Sequence, residues 1–183
     1  TSHGFDLFKA CARKSRKGFK IKADEVEIVE EIVRRLDGIP LAIELAAARS
    51  AVLPPHKLLK RLNHRFALLQ SRDQDFSDRQ RTLGNAIEWS WGLLDPWEQD
   101  ALAQCSVFRG GFFLESAESV VDLSAYPDAP MVMDVITDLK DKSLLRSWEL
   151  PKLPDEIRFG MYESIRDFAT SKRLKSDPTA AVC

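Results

Sequence analysis

Three cysteines are all the sequence contains, Cys11, Cys105 and Cys183, far apart, odd in number and without a CxxC pair. This spacing argues against a disulfide framework and against a zinc site, and it fits a reducing cytoplasm. No apolar run approaches the roughly 20 residues needed to cross a bilayer, and the first residues lack the charged-then-apolar form of a secretion signal. Nothing in the sequence directs the chain to a membrane. An excess of one charge is missing too: 27 Lys and Arg meet 28 Asp and Glu, for a formal net charge of -1. No global field draws it onto nucleic acid, so any such binding has to be local. The histidines, His3, His56 and His64, are not spaced as metal ligands, and neither a nucleophile elbow nor an HExxH pair is present. No catalytic or metal-ligating residue is assigned. The GxxxxGK[ST] loop is absent as well. Its backbone cradle and lysine hold phosphates for hydrolysis, so the chain by itself is not expected to be an ATPase.

What is present is a folding composition, 44% apolar and 30% charged over 183 residues, enough for two small cores. Between Asp24 and Leu36, Val26, Val29, Val33 and Leu36, widened by Ile28 and Ile32, recur at helical spacing, with Asp24 and Glu27 as a capping box. Gly38 stands where a left-handed C-cap is needed and Pro40 where a first-turn proline is tolerated, so one helix ends and another begins within LDGIPLAIELAAARS. Pro54-Pro55 stops that second helix, and HKLLKRLNHRFALL continues helically. Residues 71–81 are almost wholly polar and are read as the linker.

Beyond it, Leu83, Ile87, Trp91 and Leu94 mark a helix, and Asp95-Pro96-Trp97-Glu98 combines an N-cap, a first-turn proline and a capping-box glutamate. After Gly110-Gly111 two helices are expected, around 114–121 and 131–139, then strands over 143–150 and 156–161, and a last helix with Ile165, Phe168 and Ala169 on one face. The expected fold is mainly α: a small helical bundle followed by a winged-helix domain with a two-stranded β-wing. The divisions are 1–22 (lead-in helix or the end of a nucleotide-binding core), 23–75 (bundle), 80–175 (winged helix) and 176–183 (tail). The chain opens on a helix-like segment at Thr1, without a methionine, and reads as a piece of a longer protein.

Six segments, in order, resemble the regulatory half of STAND-class signal-transduction ATPases, the NB-ARC-like family that includes bacterial transcriptional regulators. They are LDGIPLAIELAAAR (36–49), RFALL (65–69), RTLGNAIEWSWGLLDPWEQDAL (81–102), SVFRGGFFLESAESV (106–120), LKDKSLL (139–145) and FGMYESIRDFA (159–169). Each alone is only a well-formed helix or turn. The resemblance implies a nucleotide switch in which ADP or ATP sits in a P-loop domain of the same chain, with effector or sensor domains attached. The fragment itself is expected to hold no cofactor. The site residues carried over are Gly38, Pro40 and Leu41, whose proline would lie against the base, and Tyr162, where eukaryotic members place a histidine against the terminal phosphate.

Each of these has a simpler reading. Gly and Pro are common helix punctuation, and Tyr162 is equally a packed aromatic at a helix start. A tyrosine hydroxyl gives a phosphate one hydrogen bond and no positive charge near neutral pH. The early cluster Lys9, Arg13, Lys14, Arg16, Lys17, Lys20 and Lys22 reads chiefly as a solvated helix end. The helix before the wing would be the recognition helix of a DNA binder, yet it carries Asp134, Asp138, Lys140 and Asp141. Phosphates repel such a face, so direct DNA binding is not expected. The alternatives are a winged-helix DNA-binding domain and a helical protein-interaction adaptor.

Overall fold

The computed structural model describes residues 3–69, 78–151 and 153–176, and the chain divides into two compact units, Thr1–Leu93 and Leu94–Cys183. The first unit is built around α3 (Pro40–Ala48), in which Ala42, Ile43, Leu45, Ala46, Ala47 and Ala48 are all buried and only the stripe of Pro40, Leu41 and Glu44 keeps some exposure. A helix buried over most of its circumference has to be wrapped. It packs against α1 (His3–Ser15) and α5 (Asp78–Trp91), while α2 (Val26–Arg35) packs against α1 and α4 (Pro55–Leu69). Helix α1 contributes Phe5, Phe8 and Ala12, spaced to share a face. Its approach is close, since a Cβ on Gly4 would come within 2.5 Å of Val33 Cγ1.

Two local features differ from the sequence reading. No Asp24–Glu27 box caps the start of α2: the chain is extended at Lys22, a 3-10 turn at Ala23–Glu25 leads into the helix, and that turn is the element capped, the Lys22 N–H donating to Glu25 Oε2 at 3.0 Å. The linker expected at 71–81 lies for most of its length outside the described residues. The helix after it, α5, falls almost wholly within the range 80–175 expected for the winged helix and packs on α3 and α4 in the first unit. Its inner face explains this, because Ala86, Ile87 and Trp89 are buried there.

The second unit runs α6 (Pro96–Cys105), α7 (Leu114–Val120), α8 (Val132–Asp141), β1 (Arg146–Leu150), β2 (Leu153–Gly160) and α9 (Glu163–Ser176). The Asp95–Glu98 start is as the sequence indicates, with the Asp95 N–H donating to Glu98 Oε2 at 2.9 Å. The strands pair antiparallel, Arg146 opposite Gly160 and Trp148 opposite Arg158. Strand β2 begins three residues before the expected Glu156, taking in Pro154. A hairpin has only edge strands, where a missing N–H can face outward. Phe112 adds a bridge to Phe159, each N–H donating to the other's carbonyl at 2.8 Å. Three helices, a bridging residue and a hairpin give the winged-helix order expected of this half. Ala101, Leu102, Val135, Ile136, Leu139, Leu144, Ile165 and Ala169 are buried in it.

The wing closes on glycine. Gly111 has φ 90°, and a Cβ there would meet Phe159 O at 2.6 Å and Trp148 Cη2 at 2.9 Å. Backbone carbonyl cannot move aside as a flexible side chain can. Gly111→Ala is therefore expected to destabilise the second unit by about 2 kcal/mol or more. Gly84→Ala, in exposed helix with open space around it, should instead stabilise the first unit by ~0.5–1 kcal/mol. Urea unfolding followed by circular dichroism checks both signs.

Candidate functional site

The four residues singled out in the sequence lie in two places, one in each unit. In the first, α2 ends through two consecutive left-handed residues, Asp37 at φ 51° and Gly38 at φ 66°. The Gly38 N–H donates to Val33 O at 3.1 Å and the Asp37 N–H to Arg34 O at 3.0 Å, the paired bonds of a Schellman cap. The residue in the usual glycine slot of that cap is thus Asp37. Aspartate tolerates this conformation better than most residues, and here its Oδ2 accepts a 2.6 Å hydrogen bond from Thr82 Oγ1 on α5. Gly38 follows, exposed, and Ile39 leads into Pro40 at the first turn of α3. Pro40 is also exposed, whereas Leu41 is half-buried. A shallow open depression lined by Glu30, Val33, Arg34, Asp37 and Gly38 lies beside the turn. Its mixed charges select no anion.

In the second place, Met161 and Tyr162 join β2 to α9. Tyr162 holds the N-cap position: its carbonyl accepts from the N–H groups of Ile165 at 3.1 Å and Arg166 at 3.0 Å. Its ring is not packed away, and the residue is 37% exposed. The Arg146 guanidinium lies 5.2 Å from the Tyr162 ring centroid and 5.1 Å from that of Trp148. Arg158 sits 5.4 Å from the Phe113 ring centroid and donates to Gly111 O at 3.3 Å. The sequence reading missed this arginine–aromatic group. The available signal was strand alternation, which puts Arg146 and Trp148 on one face of β1.

No established family profile matches the chain. It is 34% identical over 182 residues to an uncharacterised protein of Mycobacterium tuberculosis, covering 100% of this chain and 46% of that one. It is 36% identical over 172 residues to a protein of the same organism named "Putative HTH-type transcriptional regulator", covering 94% of this chain and 19% of that one. Counterparts in Mycobacterium bovis match to the same degree. The chain spans about half the length of the first relative and about a fifth of the second.

Helix α8 stands just before the wing, the position of a recognition helix in winged-helix proteins. Its exposed residues include Met133, Asp134, Thr137, Asp138 and Asp141. Lys140 pairs with Asp141 at 3.1 Å, and the Lys142 ammonium pairs with Glu98, whose side chain is 1% exposed. Both lysines are therefore engaged by carboxylates. Elsewhere, Arg13 and Lys14 of the early basic cluster lie in the last turn of α1, where the helix dipole favours cations. Burial pushes the Cys105 thiol up to about 12 and also raises Cys11, so neither is poised as a thiolate. Among the described residues no three metal-ligating side chains cluster, and no helix is long and apolar enough to cross a membrane.

Partial burial raises the Asp138 carboxyl above its ordinary value of 3.8, with Glu98, Asp141 and Asp134 adding to the rise and Lys142 opposing it. Folding thus disfavours its charged form, and stability falls as pH rises from the unfolded value through the folded one. Asp138→Asn should raise the melting temperature near neutral pH. The gain should vanish below pH 3.8, where the carboxyl is protonated in both states. Thermal melts on the two sides of that value check the sign.

Proposed function

We propose that this chain is the regulatory, nucleotide-sensing module of a STAND-class ATPase switch, within a protein that controls transcription. One observation carries the reading: both motif positions stand at exposed helix starts instead of in a core. Pro40 opens α3 and Tyr162 caps α9, each with its side chain open to a ligand. The similarity to a relative named as a transcriptional regulator supports the regulatory half, and the six family-like segments support the switch.

On this reading ADP or ATP is held by a P-loop domain elsewhere in the same protein. That domain and the effector or sensor domains are the partners of the fragment, which works in the cytoplasm. The parent protein would be an ATPase. The fragment would be none, because the sequence has no phosphate-cradling loop. Pro40 suits contact with a base, since a ring fixed in φ loses no rotamer freedom on stacking. Gly38 and Leu41 set that ring, one by accepting a left-handed turn and the other by anchoring the helix start half-buried. Tyr162 offers a hydroxyl donor.

The second reading is a winged helix that binds DNA itself, which the relative's name favours and the charge of α8 opposes. Asp134, Asp138 and Asp141 would face phosphates that dominate affinity. Two measurements on the purified chain separate the readings. Phosphate release from ATP should stay at the buffer level, and fluorescence titration with duplex DNA at physiological salt should show no specific binding. Affinity near the roughly 10 nM of specific recognition would move the conclusion to the DNA-binding reading.

A further inference from the structure

We propose that Arg146, on the first strand of the wing, is the cation that meets the terminal phosphate of a bound nucleoside diphosphate, supplying the charge that Tyr162 lacks. This deepens the nucleotide-sensing reading and rests on it.

Arg146 is set apart by its contacts. Among the described residues its guanidinium makes no hydrogen bond and no ion pair; its contacts are the faces of two rings, Trp148 at 5.1 Å and Tyr162 at 5.2 Å. The side chain is exposed. Other arginines of this unit are occupied differently: Arg166 pairs with the Glu163 carboxylate, and Arg158 donates to Gly111 O. Arg146 thus keeps five N–H donors without a protein acceptor, while aromatic contact restrains the planar group that carries them.

The restraint has its own structural cause. Trp148 shares a face of β1 with Arg146, and across the hairpin stands Gly160, where a Cβ would come within 2.9 Å of Trp148 Cη2. The glycine lets the indole lie flat on the hairpin. The indole in turn gives Arg146 one of its two ring faces. Tyr162 gives the other, so a positive charge with free donors stands against the ring of the one tyrosine that the family-like motif offers.

Chemistry selects the ligand class. Guanidinium is always charged and pairs with phosphate oxygens through two parallel N–H groups, in a geometry lysine cannot copy. The nearest competing charge on α9, Glu163, is neutralised by Arg166, so the start of that helix does not repel an anion strongly. Glu149 alternates to the other face of β1.

The test is calorimetric titration of ADP and of AMP into the full-length protein that contains this chain, with Arg146→Ala and Arg146→Lys alongside wild type. Arg146→Ala should weaken ADP about ten- to hundredfold, the range of a hydrogen bond to a charged group, and change AMP little. Arg146→Lys should recover part of the loss. An unchanged ADP affinity in Arg146→Ala overturns the assignment while leaving the nucleotide-sensing reading intact. Equal loss for ADP and AMP also overturns it, since the residue would then act on the fold or the base. If wild type binds neither nucleotide, both readings fall together. Tight binding of duplex DNA that Arg146→Ala abolishes would place the phosphate in nucleic acid and likewise overturn the assignment.

Discussion

The first unit depends on one constraint, a nine-residue helix that is buried over most of its circumference. Because only the stripe of Pro40, Leu41 and Glu44 keeps some exposure, α1 and α5 must lie against the rest of α3. The entry to α3 is therefore also the functional candidate. Asp37 and Gly38 turn the backbone through left-handed conformations, Thr82 ties Asp37 to α5, and Pro40 is left on the surface at the first turn. A buried helix and an exposed turn are two sides of the same packing requirement.

In the second unit the comparable device is the wing. Gly111 and Gly160 let Trp148 lie close to the backbone, and Phe112 hydrogen-bonds Phe159 from the opposite direction. The hairpin is thereby held to the helical core by a bridge and by an indole. A buried carboxylate, Glu98, joins the same assembly: one oxygen caps its own helix at the Asp95 N–H, and the other meets Lys142 beyond α8. A buried charge deprived of its partner costs about 3–5 kcal/mol, so this pair fixes the α6–α8 arrangement even where its net stabilisation is small.

Much of the fold was legible because its signals are local. Apolar periodicity, the Asp95–Glu98 box and Pro40 at a first turn all act within a few residues of themselves. Tertiary contacts were not legible. The membership of α5 follows from the burial of Trp89 and Ile87 in the first unit, which a polar stretch before the helix does not reveal. The slot taken by Asp37 was hidden for a similar reason, since a side chain held by Thr82, 45 residues away, tolerates a conformation usually left to glycine. Of the candidate site, Gly38 was readable as a helix-end glycine, and Pro40 and Tyr162 as helix-start residues. Arg146 was not, because its meaning comes from a ring, Tyr162, that stands beyond the second strand.

The nucleotide-sensing proposal assigns Pro40 and Tyr162, each at an exposed helix start, to contact with bound nucleotide. Hydrogen exchange on the full-length protein, with and without saturating ADP, addresses both at once, because it reports protection amide by amide. Exchange on ADP binding is expected to slow at Gly38, Ile39 and Leu41 and at Tyr162, Glu163 and Ser164, with the amides of α8 unchanged. Bound ADP with unaltered exchange at both helix starts would contradict it.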